Sequence, residues 1–316
     1  MRRFPNMNYL YNVEYFEGLK PEGDGFTVSG MPMKVRTEKI IEFSFVADTS
    51  LRALEKMKGI QSFELYTAYP GLMIGIGAPH EIKMKDALKN GFTFDYATGI
   101  PYLPGSSLKG ILRSFFPQKE KDVEKKEYIR GYLSDKETDI VALMKWIFGD
   151  EKPGNINFIG VFPKIDGQAE LLATEYITPH ESVFKDPDPI GMLKIKPGIK
   201  FRFVFICKDY KEKDGDKVIL SADQMTKLFK NIILDMGIGA KTNVGLGVMT
   251  EKEPLGNVEI ENNNSSANRG NRPNNNNNRN NYHNNQNNNR NNYHNNNQNR
   301  GTSANGERSS KHTFKK

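Results

Sequence analysis

The sequence of 316 residues contains a single cysteine, Cys207, so it can form no intrachain disulfide and no cysteine-based zinc cluster. Cys207 directly follows the apolar run Phe203-Val204-Phe205-Ile206. A cysteine in such a run is predicted to be a small buried thiol and not a reactive nucleophile.

Long hydrophobic runs are also absent, because no apolar stretch approaches the ~20 residues that are needed to span a bilayer. The amino terminus, Met1-Arg2-Arg3-Phe4-Pro5, lacks the apolar core of a secretion signal. We therefore expect a soluble, cytoplasmic protein with no membrane partner.

The chain has little net charge outside its carboxyl-terminal tail. Residues 1–261 contain 36 Lys and Arg against 37 Asp and Glu, whereas residues 262–316 contain 9 against 1. The formal charge of +7 thus belongs to the tail, and it does not by itself indicate a nucleic-acid partner for the rest of the chain. A basic groove would have to be a local patch on a nearly neutral body.

The tail itself, from Asn262 onward, is mainly asparagine with scattered arginines and two Tyr-His pairs. Such a composition offers too little apolar surface to offset the entropy of ordering. We predict a disordered tail over residues 259–316. It could hold single-stranded RNA weakly, or it could be a low-complexity extension with no dedicated role.

Motifs for nucleotide binding and serine catalysis are missing. A nucleotide-binding phosphate loop has Gly-x-x-x-x-Gly-Lys-[Ser/Thr] between a strand and a helix, but here Ala240 precedes Lys241. Gly105-Ser106-Ser107 lacks the flanking pattern of a serine nucleophile. His80 has no second histidine at ligand spacing, so it does not indicate a metal site. We therefore expect no cofactor and no metal ion.

His180 is the minority candidate for acid–base catalysis. It lies beside Glu181 after a predicted strand, where it could serve as a general acid or base in a metal-free ribonuclease. Histidines in such loops more often bond to the backbone, and no second activating group accompanies this one. We therefore expect no catalytic site.

The most informative stretch is a glycine-rich loop between a predicted helix and a predicted strand, and it reads Gly237-x-Gly239-Ala240-Lys241-Thr242-x-x-Gly245-x-Gly247. Glycine at this density permits positive φ angles and the close approach of another molecule. Gly237 is also a typical residue just beyond a helix carboxyl end. The loop is suited to gripping a polyanion through Lys241, and the alternative is a tight turn without a ligand.

A second candidate lies in a predicted helix over residues 106–116, which Ser106 or Ser107 would cap and Pro117 would end. Lys109 and Arg113 are four residues apart and share one helix face, predicted to lie near the amino end. Unpaired backbone amides, two hydroxyls and two cations together suit a phosphate. The alternative is a capped helix with a solvated basic face.

Taken together, these stretches resemble the RAMP superfamily of CRISPR proteins. The resemblance covers roughly residues 60–250, with its three motifs in the family order: Pro101-Tyr102-Leu103-Pro104-Gly105-Ser106-Ser107-Leu108-Lys109-Gly110-x-x-Arg113, then Ile147-Phe148-Gly149 with Gly154-x-Ile156-x-Phe158, then the loop at 237–247. Within the superfamily, Thr174-x-x-x-Thr178-Pro179-His180 and the segment 187–189 resemble the family of the sixth subunit of type III-B Cmr effector complexes.

The resemblance implies an α+β fold with a ferredoxin-like (RRM-like) β-α-β-β-α-β core and helical and loop insertions. Our predicted elements follow that order: strand 62–69, helix 106–116, strands 156–162 and 199–206, helix 221–236, strand 244–250. The predicted domains are an amino-terminal extension that packs on the core (1–60), the RAMP domain with insertions (61–258) and the tail (259–316).

The function that the resemblance implies is a non-catalytic scaffold subunit of a CRISPR effector complex in antiviral defence. Its partners would be the guide RNA, other Cmr subunits of the backbone filament and, indirectly, the target RNA. The residues that would contact guide RNA are Ser106, Ser107, Lys109, Arg113, Gly237, Gly239, Lys241, Thr242, Gly245 and Gly247. Two alternatives remain open: a RAMP endoribonuclease that processes repeat RNA through His180, and the end-capping subunit of a type III-A Csm complex.

Overall fold

The computed structural model describes residues 6–23, 25–47, 57–77, 82, 84–119, 121–177, 189–212 and 217–254. The chain divides into two units, Met1–Glu259 and Ile260–Lys316, and every described residue belongs to the first. The predicted disordered tail lies outside the described residues, and so do the candidates His80 and His180.

The described elements mix helices and strands throughout. The α-helices are α1 (Met7–Asn12), α2 (Met33–Ile41), α3 (Gly105–Phe115), α4 (Val123–Tyr132), α5 (Ile140–Phe148) and α6 (Ala222–Met236). The strands are β1 (Leu19–Glu22), β2 (Gly25–Val28), β3 (Ser44–Val46), β4 (Ile60–Thr67), β5 (Leu103–Pro104), β6 (Asn157–Pro163), β7 (Gln168–Glu170), β8 (Leu172–Ile177), β9 (Ile190–Ile195), β10 (Lys200–Ile206), β11 (Tyr210–Lys211), β12 (Val218–Leu220) and β13 (Met249–Thr250).

The predicted α+β class is confirmed. The predicted core elements correspond to β4, α3, β6, β10, α6 and β13, and the charged insertion after α3 contains α4 and α5. The last strand is the exception, because the strand predicted from residue 244 is present only as Met249–Thr250.

A five-stranded antiparallel sheet forms the centre, in the order β13-β4-β10-β6-β5. β10 lies between β4 and β6, and Phe203 is opposite Phe63 on one side and Val161 on the other. Alternate side chains of a strand point to opposite faces of the sheet. Accordingly, the phenylalanines of β10 are fully buried on one face, and Lys200 and Arg202 lie half-buried on the other.

The buried face of the sheet carries a cluster of aromatic rings. Phe203 stacks on Phe63 with 4.7 Å between ring centroids, and Phe205 lies 5.3 Å from Phe229 of α6. Helix α3 contributes Leu108 and Leu112, both fully buried. Helices α3 and α6 contact each other, while α3 packs on β6 and α6 on β4. Helix α3 and helix α6, which leads into the glycine-rich loop, therefore lie on the same side of the sheet.

The amino-terminal segment packs through two buried tyrosines. Tyr11 donates a hydrogen bond to the carbonyl of Asn90, and the hydroxyl of Tyr15 accepts one from the backbone N–H of Leu88 at 2.9 Å. Burial raises the pKa of both phenols. These contacts connect the start of the chain to the long segment between β4 and β5.

Helix α6 begins with the capping box that its sequence predicts. The Ser221 side chain accepts from the backbone N–H of Gln224 at 3.2 Å, and the Gln224 side chain accepts from the N–H of Ser221 at 2.9 Å. We expect Ser221→Ala to lower the free energy of unfolding by about 1 kcal/mol, because an amide at the helix start loses its acceptor. Urea denaturation measures the change.

Ser106→Ala is the matched control, because the predicted serine cap on α3 is wrong. Helix α3 begins one residue earlier, at Gly105, with Pro104 as N-cap and no side-chain capping bond. Ser106 is exposed inside the first turn. Its replacement should leave stability unchanged within about 0.5 kcal/mol. Equal losses for the two serines would contradict this assignment of the caps.

Candidate nucleic-acid interface

The glycine-rich loop starts where the sequence places it, at the end of α6. Gly237 has φ 73° and its N–H donates to the carbonyl of Ile233 at 2.9 Å, which ends the helix. The loop then closes on itself, since the N–H of Ile238 donates to the carbonyl of Gly247 at 2.9 Å. Its two ends are therefore adjacent, with Ile238 and Leu246 buried and residues 241–244 exposed between them.

The loop is also tied to the segment that follows β4. The N–H of Ala240 donates to the carbonyl of Met73 at 3.0 Å, and the N–H of Gly247 donates to the carbonyl of Gly71 at 2.8 Å. Two backbone bonds thus fix the loop to residues far away in the sequence, and this attachment makes it a rigid element.

The tightest backbone contacts of the loop glycines are those of Gly239 and Gly247. A Cβ at Gly239 would lie 2.4 Å from the carbonyl oxygen of Met73, and a Cβ at Gly247 would lie 1.8 Å from that of Ile238. Both residues also have positive φ, 80° and 79°. These glycines therefore allow the protein to approach its own backbone, which is the tight-turn explanation for part of the motif.

The backbone amides of three of the motif's glycines are engaged inside the protein, in addition to that of Ala240. Those of Gly237 and Gly247 donate as described above, and that of Gly245 donates to the carbonyl of Thr242 at 3.0 Å. The groups that the loop presents to solvent are the side chains of Lys241 and Thr242 and the neighbouring Asn243 and Val244. Any ligand of the loop would therefore meet mainly side chains.

Lys241 occupies an exposed, left-handed backbone position with φ 59° and ψ 36°. It begins a 3-10 turn over Thr242–Val244, and Gly245 follows with φ 88°. Two left-handed residues so close together turn the chain sharply. This is the physical reason why the strand predicted from Val244 is wrong and pairing with β4 begins only at Met249.

The basic residues of α3 lie at different levels of the helix. Lys109 is half-buried in the middle, whereas Arg113 is exposed in the last turn. At 1.5 Å per residue, Arg113 lies about 12 Å along the axis from Gly105. The prediction that both cations lie near the amino end is therefore wrong for Arg113, which lies in the last turn because the helix begins at Gly105 and is only about three turns long.

Arg113 also has an acidic neighbour. The pKa of Asp150 is lowered, mainly by its ion pair with Lys145 at 2.9 Å and to a smaller extent by the charge of Arg113. A cation at the carboxyl end of a helix interacts favourably with the helix dipole. The position of Arg113 in the last turn is thus electrostatically favourable for the helix itself.

Of the reactive side chains weighed in the sequence, Cys207 lies among the described residues and His180 does not. Cys207 is buried, which raises the pKa of its thiol to about 11, so the reactive thiolate is scarce at neutral pH. The part of the chain that the structure describes contains no group of three or more His, Cys, Asp or Glu placed to hold a metal ion. No helix in that same part is long and apolar enough to cross a membrane.

Sequence reasoning missed the turn that holds the loop. Residues 68–71 follow β4 and contain a cis Tyr69–Pro70 bond, and the side chain of Tyr69 is 79% exposed. The signal was present in the sequence as Tyr69-Pro70-Gly71, since Pro-Gly after an alternating strand marks a turn. The contact of this turn with Gly247 could not be predicted, because no pattern within either segment indicates the other.

The fold and the loop define the class: an α+β protein with an antiparallel central sheet, two helices on one face and a glycine-rich loop before the last strand. The model of the RAMP superfamily matches residues 64–250, and the chain belongs to that superfamily.

A curated relative of the chain is a CRISPR protein. The chain is 30% identical over 164 residues to the "CRISPR system CMR subunit Cmr6" of Saccharolobus solfataricus, and the match covers 49% of this chain and 46% of that relative. The matched part thus spans about half the length of the curated relative.

Two solved structures are also similar. A type III-B Cmr-beta complex bound to cognate target RNA contains a chain that is 25% identical, with a TM-score of 0.48, covering 69% of this chain and 72% of that one. Cmr6 from Pyrococcus furiosus is 20% identical, with a TM-score of 0.39, covering 62% of this chain and 100% of that one.

Proposed function

We propose that this protein is a non-catalytic, guide-RNA-binding structural subunit of a type III-B CRISPR ribonucleoprotein effector complex. The observation that carries the proposal is the 30% identity of this chain to a Cmr6 subunit, together with its membership of the RAMP superfamily. Its partners would be the guide RNA and other Cmr subunits of the backbone filament, with the target RNA contacted indirectly through the complex.

The core of this subunit would be ferredoxin-like. In support, the elements β4, α3, β6, β10, α6 and β13 follow the order β-α-β-β-α-β, and the first strand lies between the third and the last in the sheet. The amino-terminal extension (1–60) would pack on this core and the tail (259–316) would be disordered. The helices α4 and α5 and the hairpin β8–β9 would be insertions.

The RNA contacts would come from side chains of the glycine-rich loop and of α3. Both elements adjoin α6, since the loop begins at its end and α3 packs against it. Lys241 and Thr242 would contact phosphates from the loop, and Lys109, with Ser106 and Ser107, would do so from α3. Arg113 would add a phosphate contact at the carboxyl end of α3, where its charge also acts on Asp150. Gly237, Gly239, Gly245 and Gly247 would set the shape of the loop. Contacts to phosphates position a strand without reading its sequence.

The proposal is tested by purifying the tagged, full-length protein from cells that express their own CRISPR loci. We expect the other subunits of a type III-B complex to co-purify, together with short RNAs that derive from CRISPR arrays. Mass spectrometry identifies the proteins and sequencing identifies the RNA. Recovery with the subunits of a type III-A complex, or without array-derived RNA, would refute the proposed function.

A further inference from the structure

An exposed aromatic ring lies directly beside the glycine-rich loop. Tyr69 follows β4, in a turn closed by a hydrogen bond of 2.8 Å from the N–H of Gly71 to the carbonyl of Ala68. Its side chain is 79% exposed, whereas Tyr11 and Tyr15 of the core are almost completely buried. Exposure alone is not unusual for a tyrosine, since Tyr96 is 87% exposed, and it is the position beside the loop that distinguishes Tyr69.

The turn and the loop are one rigid unit. The N–H of Ala68 donates to the carbonyl of Val248 at 2.9 Å, and the carbonyl of Gly71 accepts from the N–H of Gly247 at 2.8 Å. These two bonds flank Tyr69 on both sides. In addition, Pro70 Cδ lies 3.9 Å from where a Cβ at Gly245 would be. The backbone that carries the ring is therefore fixed against the loop before any ligand arrives.

The surface around this unit combines the two features that single-stranded nucleic acids require. Lys241, Thr242 and Asn243 are exposed and polar, and Val244 is 71% exposed beside them. Proteins that hold single strands pair cations for the phosphates with aromatic rings on which bases stack. A tyrosine on a fixed backbone has few torsions to restrict on binding, so little entropy opposes the stacking.

From this geometry we infer that Tyr69 is a stacking platform for one nucleobase of the RNA strand whose backbone Lys241 contacts. The inference rests on the proposed function, and it adds a contact to the base where Lys241 and Thr242 supply contacts to the phosphates. Stacking on a ring tolerates every base, so the platform would fix the register of the strand without selecting a sequence.

Fluorescence anisotropy with a short, labelled single-stranded RNA tests the inference on the full-length chain. We expect Tyr69→Ala to raise the dissociation constant roughly 5- to 150-fold, because one stacked base is lost. Tyr69→Phe should bind within about threefold of the wild type, since it keeps the ring. The matched control is Tyr96→Ala, which removes another exposed tyrosine that is 87% accessible and should not change affinity.

Two further readouts separate stacking from other effects. The dependence of affinity on salt should be unchanged in Tyr69→Ala, because no phosphate contact is removed. An RNA with abasic residues should bind the wild type more weakly, and Tyr69→Ala should then cause no further loss. Equal effects of Tyr69→Ala on intact and abasic RNA would overturn the inference, and so would wild-type affinity in Tyr69→Ala.

The Lys109→Ala/Lys241→Ala variant distinguishes this inference from the proposed RNA site. If that variant loses affinity while Tyr69→Ala does not, the stacking role is refuted and the phosphate site stands. If Tyr69→Ala loses affinity only for intact RNA, stacking is supported whatever the lysines contribute. Thermal unfolding of each variant must match the wild type, so that a change in binding reports the site.

Discussion

Replacing Gly247 by alanine is expected to lower the free energy of unfolding by about 3–5 kcal/mol, a loss that only a few mechanisms can produce. The new Cβ would lie 1.8 Å from the carbonyl oxygen of Ile238, and φ of 79° is itself unfavourable for alanine. The contact cannot be relieved by a side-chain movement, because the atom that it meets belongs to the backbone. The loop would have to release Ile238, Gly71 or both.

Gly245→Ala is the matched control in the same loop. Gly245 has a similar φ of 88°, but the nearest atom to its Cβ position is Pro70 Cδ at 3.9 Å. Only the backbone conformation is then unfavourable, so we expect a loss of about 1–2 kcal/mol. Chemical denaturation of both variants measures the difference. Equal losses of unfolding free energy in the two variants would show that the contact with Ile238 is not what excludes a side chain at residue 247.

The double variant Lys109→Ala/Lys241→Ala is expected to weaken binding of single-stranded RNA by about 150-fold or more, because two charge-assisted contacts to phosphates of about 1.5 kcal/mol or more each are lost. The slope of log affinity against log salt should fall by about 1.4, or 0.7 for each lost contact. Because residues 1–261 are nearly neutral overall, binding to this part of the chain depends on local cations.

Lys34→Ala/Lys217→Ala provides the charge-matched control. Lys34 lies on α2 and Lys217 directly precedes β12, so neither belongs to the loop or to α3. Lys217 forms an ion pair with Glu212 at 3.0 Å. This variant loses the same formal charge and should keep both the affinity and the salt slope. Anisotropy titrations at several salt concentrations compare the two. An equal loss in both variants would indicate general charge attraction and would refute the lysine site.

The elements that the sequence predicts well are those with local signals. Helix α6 is recognised by Ser221 and Gln224 at its start, its apolar stripe and Gly237 at its end, and all three are present in the structure. The same holds for β10, whose alternating phenylalanines are buried together. Each of these signals depends on neighbours within one element, so the sequence alone contains it.

The predictions that were wrong depend on contacts between distant residues. Ser106 was expected to cap α3, but the chain leaves β5 directly into the helix, and Gly105 is pressed against the carbonyl of Phe158. Val244 was expected in a strand, but the loop first turns around its bonds to Gly71 and Met73. Such pairings bring together parts of the chain that no periodicity connects. The list of RNA-contacting residues remains a prediction, because it depends on contacts with a second molecule.

The bonds from Gly71 and Met73 to the loop also set an order of events during synthesis. Those two residues leave the ribosome long before Ala240 and Gly247, and contacts of such large sequence separation form late in folding. The loop can therefore take the conformation seen in the structure only after Ala240 and Gly247 have been synthesised and have reached Met73 and Gly71. A chain that ends before Gly247 lacks one of the two bonds that hold Lys241 in place.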